Sequence, residues 1–219
     1  MLITTIRGNP NVGLYAYAND HYCLVGRDFP EKLAKEFEKT LKVPVHKMDI
    51  CGTSLLGVFL AGNNHVLLVP DIAFPNEIQM LDKLKIKYEL IKTKHTALGN
   101  NLLINEHGCL ANPEMELEVL EKIHNILKIP LQTTIIAGVH VVGSSAVLNK
   151  KGCLIHRDAS DEDIKLVEGL LKTKCEQCTV NMGNPYVKSG IVCNNHDYVV
   201  GEHSGGPELQ VIDNTLRGR

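Results

Sequence analysis

The sequence lacks an excess of charge of either sign. Its 219 residues carry 23 Lys and Arg against 25 Asp and Glu, a formal net charge of -2. No global basic field is therefore available to hold nucleic acid by neutralising phosphates, which points away from DNA and toward a protein partner. A secretory leader is lacking too, because "MLITTIRGNP" has neither a basic n-region nor a long apolar core. The expectation is a cytoplasmic chain, whose seven cysteines, odd in number and spread along the sequence, read as thiols in a reducing compartment. No GxxxxGKS/T and no strand-linked GxGxxG occurs, so phosphate-cradling loops are not indicated. One stretch, Ile129 to Asn149, has no charged side chain, but Pro130, Gln132, Gly138, His140, Gly143, Ser144 and Ser145 interrupt it. It reads as strand, turn and strand, not as a membrane span.

What the sequence does have is a repeat. "NDHYCLV" from Asn19, "NNHVLLV" from Asn63, "NEHGCLA" from Asn105, "NKKGCLI" from Asn149 and "NNHDYVV" from Asn194 follow one another at spacings of 44, 42, 44 and 45. Six residues before the Asn stands Gly13, Gly57, Gly99 or Gly143, and in the fifth copy Lys188, with Gly190 two residues on. Apolar runs flank each Asn turn, the signature of a β-hairpin with a short polar loop. A helical pattern follows and ends at Leu41, Leu84, Leu127, Leu171 and Leu216; four residues earlier stand Phe37, Met80, Ile123, Val167 and Ile212. Seven residues before each terminal Leu, four of the five positions are also apolar, the exception being Glu77, so each helix has one face to bury. Pro30, Pro75, Pro113 and Pro207 lie near four helix starts, and Ser160 with Asp163 forms a capping-box pattern at the other. After each of the first four helices comes a third apolar run, such as "VPVHKMDI" or "IPLQTTII".

The unit is thus strand, strand, helix, strand, an α/β repeat. A WD-type propeller has a similar period but four strands and no helix per blade. An open solenoid would leave the last unit without its third strand. "LITTI" at 2–6 resembles "LQTTI" at 131–135 and precedes the first glycine as the other third strands precede theirs. The reading is a single domain, 1–219, of five repeats (about 8–50, 51–94, 95–138, 139–183 and 184–219), closed into a ring by the amino-terminal strand 1–7.

"GNNHVLLVP" (62–70), "TALGN" (96–100), "VGSSAVLNKKGCLIH" (142–156), "TVNMGNP" (179–185) and "GPELQVID" (206–213) resemble, in order and spacing, the archaeal and eukaryotic translation initiation factor six family, the ribosomal anti-association factors. The resemblance runs over essentially the whole chain. It implies the pentein fold, an α/β propeller with five-fold pseudosymmetry, and binding to the large (50S) ribosomal subunit that blocks joining of the small (30S) subunit. It also implies a role in subunit maturation, a monomer, contacts mainly to ribosomal protein with adjacent rRNA, and release by a GTPase-type partner. Two departures are visible. Many members carry a basic residue and a glycine where this chain has Asn63-Asn64-His65-Val66, and the eukaryotic carboxy-terminal tail is absent beyond Arg219, as expected for an archaeal-type factor.

For the ribosome-contacting face the expectation is the loops at the unit starts: Leu55, Leu56, Gly57, Gly99, Asn100, Gly143 and Ser144. Glycine lets a partner's backbone approach, but it also serves strand entry, so Asn100 is the sharper test. The rival is chemistry, since other penteins modify guanidino groups with a nucleophilic Cys and a His base. Cys193 is the candidate nucleophile, yet its repeat equivalents are Ala18, Gly62, Ile104 and Leu148. Cys23, Cys109 and Cys153 share a position with Leu67 and Tyr198, the pattern of buried hydrophobes. Cys175 and Cys178 form a lone CxxC with no second pair, and on a strand they point to opposite faces. His21, His65, His107 and His196 recur in separate turns and could share a metal only if those turns converged on the axis. The reading is therefore a binding protein with no cofactor, no metal and no catalytic residue.

Overall fold

The computed structural model describes residues 1–218. Its strands form five three-stranded sheets. In the first unit β2 (Ala16–Ala18) pairs antiparallel with β3 (Cys23–Val25), which pairs parallel with β4 (Val45–Lys47). The same order recurs in β5 (Ala61–Gly62), β6 (Leu67–Pro70) and β7 (Tyr88–Ile91), and in β8 (Leu102–Ile104), β9 (Cys109–Ala111) and β10 (Leu131–Thr133). It recurs again in β11 (Ala146–Leu148), β12 (Cys153–His156) and β13 (Cys175–Cys178). In the fifth unit β14 (Ile191–Cys193) and β15 (Tyr198–Gly201) are completed by β1 (Leu2–Thr4), which pairs parallel with β15, Leu2 opposite Val199. The amino-terminal strand fills the edge that the carboxy-terminal helix leaves.

Each middle strand is buried throughout, because alternate residues enter different cores. Cys23 and Val25 pack with Phe37 and Leu41 of their own unit, whereas Leu24 packs on its other side with Met48 and Ile50 and with Leu67 of the second unit. Five such cores lie between neighbouring sheets. The first also takes in Val192 and Val199 of the fifth unit, which closes the ring with the same apolar contact that joins every other pair. A strand buried on both faces needs no polar alternation, which explains the continuous "CLV" and "LLVP" runs.

The helices Glu31–Leu41, Pro75–Lys83, Leu117–Leu127, Asp161–Leu171 and Gly206–Arg217 cover the outside. The Ser160 hydroxyl accepts from Asp163 N, and Pro75 and Pro207 lie in first turns. Pro113 instead stands four residues before its helix begins, in the loop that leads there. Lys42, Lys128 and Lys172 adopt the left-handed conformation that stops a helix, and Gly218 does so at the seam. Glu77 breaks the apolar stripe for a reason visible only in three dimensions. Its carboxylate, 3% exposed, accepts hydrogen bonds from Cys51 N, Gly52 N and Phe74 N at 2.8 Å each, anchoring a left-handed turn of the preceding segment.

The repeated Asn and terminal Leu prove to be partners across units. Asn194 Nδ2 donates to Leu41 O at 2.8 Å, Asn149 Nδ2 to Leu216 O at 2.9 Å and Asn105 Nδ2 to Leu171 O at 2.8 Å. Meanwhile the Oδ1 of each accepts from amides two and three residues on, holding its own turn. One residue type closes a hairpin and ties it to the next helix.

Candidate functional site: the two ends of the axial channel

The inner strands β2, β5, β8, β11 and β14 surround an axial channel, with short helical turns at one end and the Asn turns at the other. At the Asn end the residue after each Asn faces the axis: Asp20, Asn64, Glu106, Lys150 and Asn195. Their backbone amides are linked head to tail. Asp20 N donates to Asn64 Oδ1 at 2.9 Å, Asn64 N to Glu106 Oε1 at 3.1 Å, Lys150 N to Asn195 Oδ1 at 2.7 Å and Asn195 N to Asp20 Oδ1 at 2.8 Å. The circuit breaks between Glu106 and Lys150, because a lysine side chain has no acceptor to offer. Burial alone would raise the Asp20 pKa, but bonds from Asn195 N and from the Asn64 and Asn195 side-chain amides hold it below its ordinary value.

The turns do converge here, the one condition that would let the histidines cooperate. They do not meet, because His21, His65, His107 and His196 are all exposed and the residue before each takes the axial place. No group of three or more metal-ligating side chains exists among the described residues.

At the opposite end five inner turns, 12–14, 56–59, 98–101, 142–145 and 187–190, touch in a closed cycle. Gly13, Gly57, Gly99 and Gly143 sit where units meet: a Cβ on Gly57 would lie 1.9 Å from Gly13 O, and one on Gly99 2.2 Å from Gly57 O. One on Gly13 would meet Lys188 O at 1.8 Å, so Lys188 is the fifth member of this ring, while Gly190 packs elsewhere, against Val180 and Asn181. Of the residues expected to face a partner, Leu56, Gly57, Gly99 and Gly143 are buried in the ring wall; Leu55, Asn100 and Ser144 are half-buried on its rim. Leu14, Val58, Asn100, Ser144 and Ser189, each following its ring residue, make this rim free of charged side chains at that position. The Asn100 side chain makes no hydrogen bond with any described residue, and the Ser144 hydroxyl donates to Val141 O at 2.8 Å.

Cys193 lines the channel. Burial pushes its thiol up to about 12, its Sγ–H points at Leu148 O, 3.3 Å away, and no histidine contacts it. A thiol held protonated is a poor nucleophile. Cys175 and Cys178 are both buried, entering different cores as strand alternation requires. Cys23, Cys109 and Cys153 have no exposed surface. Lys188, in sequence only a break in the glycine column, faces the channel, as do Tyr17 and the ring of residues after Asn, for which no role was expected. The uniformly polar column after the repeated Asn was the signal for that ring.

The eIF-6 family profile matches residues 1–215. A translation initiation factor 6 from Staphylothermus marinus is 36% identical over 215 residues, covering 96% of this chain and 95% of the relative. Its counterpart from Pyrococcus abyssi is 33% identical over 214 residues, covering 95% and 94%. Among solved structures, a DDAH mutant from Pseudomonas aeruginosa complexed with citrulline superposes with TM-score 0.50 at 10% identity, covering 76% of this chain and 68% of that one. An amidinotransferase, SxtG, from Microseira wollei superposes with TM-score 0.50 at 9% identity, covering 84% and 65%. These two likenesses concern the fold, which is the pentein arrangement.

Proposed function

The chain belongs to the eIF-6 family, and from that premise we propose that it binds the large (50S) ribosomal subunit and prevents association with the small (30S) subunit. The observation that carries the proposal is the match over nearly the whole of both chains, and it is supported by a ring whose turns are tied to their neighbours. A steric plug needs no chemistry, only a face that docks without being ordered on binding, and preorganised loops keep that cost low. The inner-turn rim, uncharged at the position after each ring residue, suits a ribosomal protein better than RNA phosphates, with rRNA contacts secondary. Leu55, Asn100 and Ser144 are proposed as contacts through their side chains, and Gly57, Gly99, Gly143 and Leu56 as the rigid floor beneath them. A monomer in the cytoplasm, released by a GTPase-type partner and active in subunit maturation, completes the proposal. No helix among the described residues is long and apolar enough to cross a membrane.

The enzyme reading meets an obstacle in the channel. Cys193 is protonated and its neighbour on the axis is the cationic Lys188, which repels a guanidinium. We take the protein as a binding factor.

The test is sedimentation of purified 50S and 30S subunits with and without the protein. It should co-migrate with 50S and reduce the 70S peak; absence of both effects refutes the proposal. Asn100→Arg should weaken 50S binding about tenfold, the cost of a misplaced charge at an interface, with unchanged thermal stability. Binding equal to wild type would remove this rim from the contact. Turnover of guanidino compounds lost in Cys193→Ala would restore the enzymatic alternative.

A further inference from the structure

The channel contains one ionisable group that neither the repeat nor ribosome docking explains. Four units place glycine in the inner ring; the fifth places Lys188, and its Nζ donates to Gly99 O, two units away, at 2.5 Å. The side chain therefore crosses the axis. It enters a cavity of about 120 Å³ whose lining is otherwise mostly Gly, Ala, Leu, Ile and Val. No Asp or Glu lines that cavity, and no carboxylate among the described residues forms a salt bridge with Lys188.

An ammonium has three N–H donors, and Gly99 O uses one. The other ionisable groups of the lining are Tyr17 and Cys193, and burial raises both pKa values, so both remain neutral. The Cys193 thiol is already directed at Leu148 O. The Tyr17 hydroxyl lies beside Gly62 and makes no hydrogen bond with a described residue. Asp20 and Glu106 face the adjoining Asn end of the channel, where Glu106 acts on Tyr17 and Asp20 on Cys193, but neither pairs with Lys188. This chamber thus combines one unpaired positive charge, one open hydroxyl donor and apolar walls. Holding a cation in such surroundings is costly, and burial accordingly draws the Lys188 pKa down to about 8. A bound anion would offset that cost by pairing with the charge, which water cannot do as well in so apolar a chamber.

We propose that the axial channel is a binding site for a small oxyanion, between formate and phosphate in size, held by the Lys188 ammonium and the Tyr17 hydroxyl. The cavity has room for such an ion, since a single water needs only about 10–15 Å³. The site lies inside the ring and is independent of ribosome binding, so either proposal can fail alone.

The experiment uses the full chain labelled at lysine 13Cε and follows Lys188 by NMR from pH 6 to 11. Formate, acetate and phosphate are each compared with chloride at equal ionic strength, and Lys188→Met supplies the assignment. At least one oxyanion should move the Lys188 midpoint upward by about one pH unit, a tenfold preference for the charged form, while other lysines stay put. The same oxyanion should raise the thermal midpoint of wild type and not that of Lys188→Met. Whether formate and acetate or phosphate acts tells a carboxylate ligand from a phosphate one. Equal midpoints in all four salts, or an equal thermal response in the variant, overturn the proposal. Should Lys188→Met fail to fold, Lys188→Gly restores the residue of the other four units, and the wild-type titration decides the matter by itself.

Discussion

Substituting Gly57 by alanine places a methyl carbon 1.9 Å from Gly13 O and 2.7 Å from Ala16 O, both backbone atoms of the neighbouring unit. Real Cβ contacts essentially never fall under 3.0 Å. The two inner turns must therefore separate by about 1 Å, and because the units form a closed ring the gap cannot open outward without disturbing other junctions. Overpacking typically costs about 1–3 kcal/mol, and a clash with backbone on the partner side belongs at the upper end, about 3 kcal/mol. Gly169 is the control: it is exposed within the helix Asp161–Leu171, and a Cβ there meets nothing within 4 Å. Its replacement by alanine should stabilise by about 0.5–1 kcal/mol through the lower entropy of the unfolded chain. For a chain of this length each kcal/mol moves Tm by about 2–4 °C, so Gly57→Ala should lower it by about 6–12 °C and Gly169→Ala raise it by about 1–4 °C. Urea unfolding followed by circular dichroism should show both changes in the midpoint with little change in slope. Gly57→Ala within about 0.5 kcal/mol of wild type would mean that the inner turns do not abut as described, and the account of the glycine ring would fall.

Deleting Met1–Ile6 removes β1 and the amino terminus that pairs with Asp197 at 2.6 Å, baring an edge of the fifth sheet. Hydrogen exchange should then show lost protection in β15 and in the first-unit helix packed beside it; loss confined to the terminus would refute ring closure. Glu77→Ala strands the amides of Cys51, Gly52 and Phe74, an expected loss of about 3 kcal/mol in chemical denaturation; a neutral result would show that water replaces the carboxylate. Burial alone would raise the Asp197 pKa, but the hydrogen bond from the amino terminus, the bond from Tyr198 N and the charge of Arg217 hold it below its usual value. Its contribution is thus complete above the ordinary Asp pKa, about 3.9, and lost as pH falls through the depressed folded value. Asp197→Asn should flatten the acid limb of stability between about pH 4 and pH 2, and an unchanged limb would contradict the pairing.

Much of the architecture was legible because it repeats. Any single hairpin here is too short to be read from its own residues, yet five copies of Asn, Gly and Leu at near-constant spacing disclosed the unit, and "LITTI" disclosed the closing strand. The capping box at Ser160 and the buried thiols Cys23, Cys109 and Cys153 also followed from position in the repeat. Glu77 and Pro113 were less legible. A buried glutamate reads as a flaw in a stripe until the amides it collects are seen, and a loop proline resembles a helix start when only spacing is known.

The sequence by itself determined the repeat, the order of strands and helix within it, the ring and the family, since these depend on local pattern and on its recurrence. Only the tertiary structure decided what faces the axis. Gly13, Gly57, Gly99 and Gly143 and the residues after each repeated Asn are tens of residues apart along the chain, and their contacts exist only once five units surround one line. A lysine in a glycine column is a mere irregularity in sequence. In the closed ring it becomes a charge laid across the channel, because closure brings Gly99 O, two units away, within reach of its ammonium.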